Sequence, residues 1–314
     1  MISSIAGVQA GDVVSLRVST PQGPTEVVGT LVAASADTLS VRRRDGSVVD
    51  VAVDDVRAGR VVPPGPAQRI GAYELQTIMA QGWRPLESDD CGGWLLRAAG
   101  GFTSRANSAL VSPNPVADLP GRLAEIRAWY GERDLPAKLQ VVIGHEPPGL
   151  VDALEASGWT SAWRTQAMTA EIAHLLRGTS RATDVRVQLD QRPDDAWLAA
   201  YRNDEGPLPP VAVDVLGGHP AVVFASVRDG ERCLAVARVA VDGRWAGLSC
   251  VEVDEAHRRR GLAPAVTTAA LRWAVERGAR RTYLQVVARN QPAIALWERL
   301  GYRHHHDYIY WTVP

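Results

Sequence analysis

Two stretches of this chain, IRAWYGERDLPAKLQVV (Ile126 to Val142) and LRWAVERGARRTYLQVV (Leu271 to Val287), carry the same features in the same order. Trp129 answers to Trp273 and Glu132 to Glu276 at one common separation, and both stretches run into LQVV. Further on, PPGLVDALEASGW pairs with QPAIALWERLGY. Each copy reads helix, strand, helix, then a glycine and an aromatic that open a last strand, which is the alternation of an α/β layer. One shared LQVV would carry little. The ordered set is the mark of a duplicated unit, and it restricts the chain to folds in which one α/β element order occurs twice.

At 314 residues the chain has room for two or three domains. Its 46% hydrophobic and 22% charged residues are those of a soluble globular protein. No apolar run approaches the roughly 20 residues of a membrane span, and the N-terminus lacks the basic start of a secretory signal. The expectation is a cytoplasmic protein, a monomer or homodimer, that does not engage membranes. With 34 basic and 35 acidic side chains there is no overall field to draw in nucleic acid. Cys91, Cys233 and Cys250 stand far apart with no CxxC pair, which argues against a disulfide framework and a zinc knuckle.

From Gly11 to Pro63 short alternating strands are broken by PQG, SAD and DG, the last a hairpin signal. This pattern predicts a small SH3-like β-barrel over residues 1–63, and VVPPGPAQ after it reads as a linker. The two repeated α/β (α+β) units then fall at 68–178 and 181–314.

In the second unit GLSCVEV reads as a strand, and from Leu262 the pattern turns helical until Gly278. Between them lies RRRGLA, Arg258 to Ala263. The first turn of a helix has unpaired N–H groups and a positive dipole end, and a glycine there lets an anion approach the backbone. The corner is a phosphate cradle, but neither a P-loop nor a dinucleotide GxGxxG fingerprint. At the matching offset the first unit has SPNPVADLP, with no glycine turn, so it reads as degenerate.

At these residues the chain resembles the GNAT superfamily of N-acetyltransferases. Arg258, Arg259, Arg260, Gly261, Leu262 and Ala263 fit the family's [QR]xxGx[GA] loop, and Asn290, Ala293, Leu296, Trp297, Gly301 and Tyr302 follow its NxxAxxLYxxxGF pattern. The likeness covers Arg181 to Pro314 well and the first copy poorly. An SH3-like barrel followed by two GNAT-like mixed-sheet domains, the first degenerate, is similar to a group of actinobacterial tandem acetyltransferases.

The resemblance implies acetyl-CoA as co-substrate, its pyrophosphate on the N–H groups from Arg259 to Ala263. The main chain at Val251 and Val253 would pair with the pantetheine arm, with Asn290 and Trp297 beside it. Val251 and Val253 also read as core strand residues, and Asn290 as a helix cap. Trp297 stands where the family usually has tyrosine, and an indole N–H cannot protonate a leaving thiolate. Tyr302, Tyr308 and Tyr310 are the phenols left for that task, and Tyr302 is also a packing position.

Attack of a primary amine on a thioester needs the neutral amine, whose pKa is near 10.4 in a lysine, so a base or a desolvating pocket must help. Glu252, beside the expected thioester, is the candidate base; its other reading is a surface or salt-bridged carboxylate. Cys250, on the same strand face, permits an acetyl-cysteine route or is a buried structural thiol. In RHHHDYIYW, His304 and His306 are expected to share a face with Tyr308 and Tyr310 and line an acceptor pocket; no metal is expected. Asn203, Asp204 and Glu205 lie on a polar loop that is either an acceptor entrance or a solvated turn. The resemblance implies an N-acetyltransferase that works by direct attack in a ternary complex; the alternative is a non-catalytic acyl-CoA-binding sensor or adaptor whose SH3-like barrel docks a partner. The acceptor is an amine of a small molecule, peptide or protein.

Overall fold

The structure is a computed structural model of the protein and describes residues 13–21, 23–35, 37–43, 47–61, 70–178, 185–201 and 208–313. The linker VVPPGPAQ and the loop carrying Asn203, Asp204 and Glu205 lie outside them, except for Val61 of the last strand below. The chain divides into two compact units, Met1–Ile70 and Gly71–Pro314.

In the first unit β1 (Val13–Thr20), β2 (Gly23–Ala34), β3 (Thr38–Arg42), β4 (Val48–Ala52) and β5 (Val56–Val61) form an antiparallel sheet in the order β4-β3-β2-β1-β5. Alternation puts Val14, Leu16 and Val18 inside with Val27, Leu31, Leu39, Val41, Val51 and Val56. β4 and β5 are opposite edges, yet only the 3-10 turn Val53–Asp55 joins them. Three residues span about 11 Å at most, whereas four strand spacings of a flat sheet make about 19 Å. The sheet must therefore curl on itself. No ladder among the described residues closes β4 onto β5, so the closed barrel expected from the sequence is a curled open sheet here.

The second unit opens with the first copy: α1 (Ala72–Gln81), β6 (Glu87–Cys91), β7 (Trp94–Ala98), β8 (Ala109–Leu110), α2 (Leu119–Gly131), β9 (Lys138–Val142), α3 (Leu150–Ala156) and β10 (Thr160–Glu171). The second copy adds α4 (Ile172–Gly178), β11 (Gln188–Asp190), α5 (Asp195–Tyr201), α6 (Ala212–Gly217), β12 (Val222–Asp229), β13 (Arg232–Asp242), β14 (Trp245–Val253), α7 (Leu262–Glu276), β15 (Arg281–Val287), α8 (Gln291–Leu300) and β16 (Arg303–Thr312). The repeated LQVV segments are β9 and β15, each preceded by its helix, α2 or α7.

The two copies do not build separate sheets. All strands from β6 to β16 form one sheet in the order β11-β12-β13-β14-β15-β10-β16-β9-β8-β7-β6. Each copy has passed its last strand to the other: β10 pairs with β15, and β16 pairs with β9. The exchanged strands pair with each other through Thr165 and Tyr308, which hold equivalent places in the repeat. Three apolar clusters flank the sheet. One lies under α7 and α8, one under α2 and α3, and a third joins α5 and α6 to Trp83, Phe102 and Ala106 of the first copy.

Each copy also buries an arginine with a serine across from it, Arg97 on β7 with Ser108 just before β8 and Arg238 on β13 with Ser249 on β14. Arg97 donates from Nη2 to Ser108 Oγ at 2.9 Å and to Gln140 Oε1 at 2.6 Å. Arg238 is paired in register with Ser249. The same Arg-to-Ser spacing recurs in both copies and was a sign of the repeat that the apolar pattern does not carry.

Candidate active site

β14 and β15 run parallel but are paired only from Trp245–Arg281 to Gly247–Tyr283. Beyond that point β14 runs on to Val253 and β15 to Val287 with no ladder between them. Two local features open the gap. The Tyr283 ring packs onto Gly247 so closely that a Cβ there would collide with its hydroxyl. At Cys250, with φ of 54°, β14 gains a residue against β13, so that Val236 and Arg238 face Glu252 and Ser249. Such a bulge bends the strand and increases its twist, which carries the end of β14 away from β15. The buried run Ala246 to Leu248 accordingly gives way to half-exposed residues from Ser249 onward.

The Asp254 N–H donates to Leu234 O on the β13 side at 2.9 Å. Backbone groups alternate sides along a strand, so those of Val253 and Val251 face the gap. Both side chains pack against the α7 cluster, which makes the core-strand reading and the main-chain reading compatible.

The chain then turns through Glu255–His257 into the corner that precedes α7. Arg259 has φ of 63° and Gly261 φ of 78°, so left-handed residues alternate with ordinary ones. Consecutive N–H groups then converge on one side, the geometry of an anion nest. The N-cap is Gly261, with no side chain to cap the helix, and Pro264 removes a donor from the first turn. Among the described residues nothing accepts a hydrogen bond from the N–H groups of Arg259, Arg260, Gly261, Leu262 or Ala263. The Arg259 and Arg260 side chains are exposed and have no ion pair among the described residues, while Arg258 rests on Glu255 at 3.7 Å and reaches back to Val253 O.

The first copy fills the same corner with its own anion. The N-cap of α2 is Asp118, whose Oδ1 accepts from Gly121 N at 2.9 Å. The carboxylate takes a donor and adds a negative charge where a phosphate would sit. β8 and β9, the counterparts of β14 and β15, pair only at Ala109–Leu139 and Leu110–Gln140, and the space beside them is packed with Val111, Val141, Trp159 and Trp311.

The remaining sequence candidates divide. Asn290 is exposed and caps α8, its Oδ1 accepting from Ala293 N at 3.2 Å. Trp297 is buried, its ring edge-on to Tyr302 at 5.7 Å. Tyr302 is fully buried, its hydroxyl paired with Thr282 Oγ1 at 3.1 Å, and burial raises its pKa well above 10. It packs in the core, so the hydroxyl for which an acid role is expected is enclosed and paired. Tyr308 and Tyr310 are also buried, the former donating to Gln285 Oε1 at 2.6 Å.

Glu252 is exposed and lines a cavity of about 240 Å³ with Ala196, Ala199 and Ala200 of α5 and Arg232, Cys233, Leu234 and Asp254. The carboxylate that the sequence offers as the base is thus exposed, on the side of β14 that faces α5 and β13. Cys250 packs toward the α5 and α6 cluster, and burial pushes its thiol up, against the pull of Arg238 and Arg105. A thiol held neutral is a poor nucleophile.

His304 and His306 do not share a face. β16 gains a residue at His305, where Ala167 and Met168 face His306 and His304, so His306 turns in beside Tyr308 and Tyr310 while His304 points out to Asp307 at 3.0 Å. Among the described residues no group of three or more His, Cys, Asp or Glu is placed to hold a metal ion, and no helix is long and apolar enough to cross a membrane.

A strand pair that splays beside an uncapped, glycine-started helix is the geometry the resemblance requires. Over residues 72–311 the chain matches the family described as "Probable histone acetyltransferase Rv0428c C-terminal". The chain belongs to this family. The "Probable histone acetyltransferase Rv0428c" of Mycobacterium tuberculosis is 32% identical over 310 residues, covering 96% of this chain and 94% of its own length. A GCN5-related N-acetyltransferase from Kribbella flavida shares the fold with a TM-score of 0.58 at 20% identity, over 77% of this chain and 95% of that one. A tandem GNAT protein from the clavulanic acid biosynthesis pathway has a TM-score of 0.52 at 15% identity, over 79% and 90%. This member of the Rv0428c C-terminal family is an acyltransferase, and its fold is the one seen in the GNAT proteins.

Proposed function

We propose that the chain is an N-acetyltransferase that moves an acetyl group from acetyl-CoA to a primary amine by direct attack in a ternary complex. The observation that carries this reading is the contrast between the two corners, open at Gly261 and plugged at Asp118. The pyrophosphate sits on the N–H groups from Arg259 to Ala263, with Arg258, Arg259 and Arg260 around it. Val251 and Val253 pair with the pantetheine arm through the main chain. Asn290 caps α8 with its oxygen and turns its amide nitrogen to the same arm, and Trp297 closes the floor.

Glu252 takes the proton from the incoming ammonium through a water. The amine nitrogen then bonds to the thioester carbonyl carbon, the C–S bond breaks, the attacking nitrogen gives up its second proton to water, and CoA leaves as a thiolate. Thiols of this kind have a pKa near 8.5, so the thiolate leaves without a protein acid and takes its proton from water. The neutral Cys250 thiol supports direct attack over an acetyl-cysteine route.

The units 68–178 and 181–314 are two GNAT-like domains, the second catalytic, and the short turn between opposite sheet edges supports an SH3-like fold for residues 1–63. The burial of Tyr302 favours a second reading, a non-catalytic acyl-CoA sensor or adaptor. Free thiol release with small amines, polyamines, amino acids and lysine peptides separates them: turnover with any amine supports the enzyme, and acetyl-CoA binding without turnover supports the sensor.

A further inference from the structure

One cluster beside β14 takes no part in these steps. Arg238 is 1% exposed and, among the described residues, has no carboxylate within ion-pair distance. Its Nε donates to Leu216 O at 2.7 Å and its Nη1 to Gly82 O at 3.1 Å, so it lies across the C-terminal ends of α6 and α1. Those carbonyls balance part of its charge. Its Nη2 is buried and, among the described residues, donates to nothing. Desolvation lowers its pKa to about 10, so it remains a cation at neutral pH.

Arg105, from the first copy, follows Thr103, a non-glycine residue at φ of 62°. Its guanidinium lies 4.1 Å from the centre of the Trp83 ring, and that of Arg238 lies 4.8 Å from the same ring. Among the described residues half-buried Arg105 has neither a carboxylate partner nor a hydrogen-bond acceptor. Both arginines act on Cys250, which places the cluster against the bulge of β14, one residue before Val251. Asp242, whose charge opposes ionisation of Tyr283, forms no ion pair with either arginine among the described residues.

Two guanidinium groups with donors to spare, partly desolvated and stacked on one indole, match the planar oxygens of a carboxylate or phosphate. We propose that Arg105 and the Nη2 edge of Arg238, walled by Trp83, bind an anionic oxygen group carried by the acceptor amine. The inference rests on the acetyl-transfer reading only in calling the ligand an acceptor. It explains why the degenerate copy is kept: that copy supplies Arg105 and Trp83.

The test titrates matched pairs, lysine against cadaverine and phosphoethanolamine against ethanolamine, into the full chain without acetyl-CoA. A preference of at least tenfold for lysine identifies a carboxylate, and the same preference for phosphoethanolamine a phosphate. Arg105→Gln should bring the preference close to one, and Arg105→Lys should keep part of it, with thermal unfolding confirming that both variants fold. Equal affinity within both pairs, a preference that survives Arg105→Gln, or tighter binding of a basic histone-tail peptide than of every amino anion would overturn the proposal. Acetyl-CoA is titrated on the same samples. Failure there with the anion preference intact would sink the acetyl-transfer reading and leave the anion site standing.

Discussion

Asp118 and Gly261 stand at the same place in the two copies, each the N-cap of the helix that follows β8 or its counterpart β14, and only Asp118 carries its own anion to the helix end. One corner is closed by a carboxylate and the other is open. The division of labour between two otherwise parallel halves follows from that difference.

Asp118 is then a stability residue. Asp118→Ala removes the hydrogen bond to Gly121 N and should cost about 1 kcal/mol, read as a lower denaturation midpoint. Acetyl-CoA stoichiometry should stay at one per chain, because the space beside β8 and β9 remains filled by side chains.

Tyr302 should be dispensable for chemistry. Tyr302→Phe leaves Thr282 Oγ1 buried without its partner, at a cost of about 1 to 3 kcal/mol in stability. Turnover at saturating substrate should stay within about threefold of wild type, against the hundredfold or more expected for loss of a general acid. A larger fall in kcat at intact secondary structure would return Tyr302 to the reaction.

Glu252→Gln keeps the shape of the side chain and removes its basicity. It should lower kcat by about 10² or more while leaving the affinity for acetyl-CoA unchanged. An unchanged kcat would assign proton removal elsewhere.

His306 should give the fold an acid sensitivity. Burial, with His305, His304 and His145 adding to it and Asp307 opposing, lowers its pKa from 6.5 to about 4. The folded chain keeps the ring neutral while the unfolded chain protonates it below about 6.5, so unfolding gains protons in that window. Stability attributable to this group is whole above pH 6.5 and declines toward pH 4, by up to about 3 kcal/mol. His306→Gln should flatten that part of the stability profile, measured by urea unfolding at stepped pH.

The repeat was legible because Trp129, Trp273 and the two LQVV strands keep local order, and the corner was legible because RRRGLA is contiguous. The strand exchange was not. The apolar pattern of β10 fits β9 and β15 equally well, and strand partners are chosen by contacts far apart in sequence. Arg97 and Arg238 went unread because an arginine in a strand usually signals an exposed face, whereas here burial is offset by backbone carbonyls and serines. The faces of His304 and His306 were misassigned because one bulge residue reverses the alternation on which such an assignment depends.

The open corner itself is tested by titrating acetyl-CoA calorimetrically into wild type, Gly261→Ala and Gly261→Glu. Both substitutions carry the strain of a side chain at φ of 78°, about 1 to 2 kcal/mol, so Gly261→Ala is the control for folding. Wild type should bind one acetyl-CoA per chain, and Gly261→Glu should bind at least tenfold more weakly than Gly261→Ala, because its carboxylate occupies the cradle as Asp118 does in the first copy. Equal affinity in the two variants, or two sites per chain, would contradict the account.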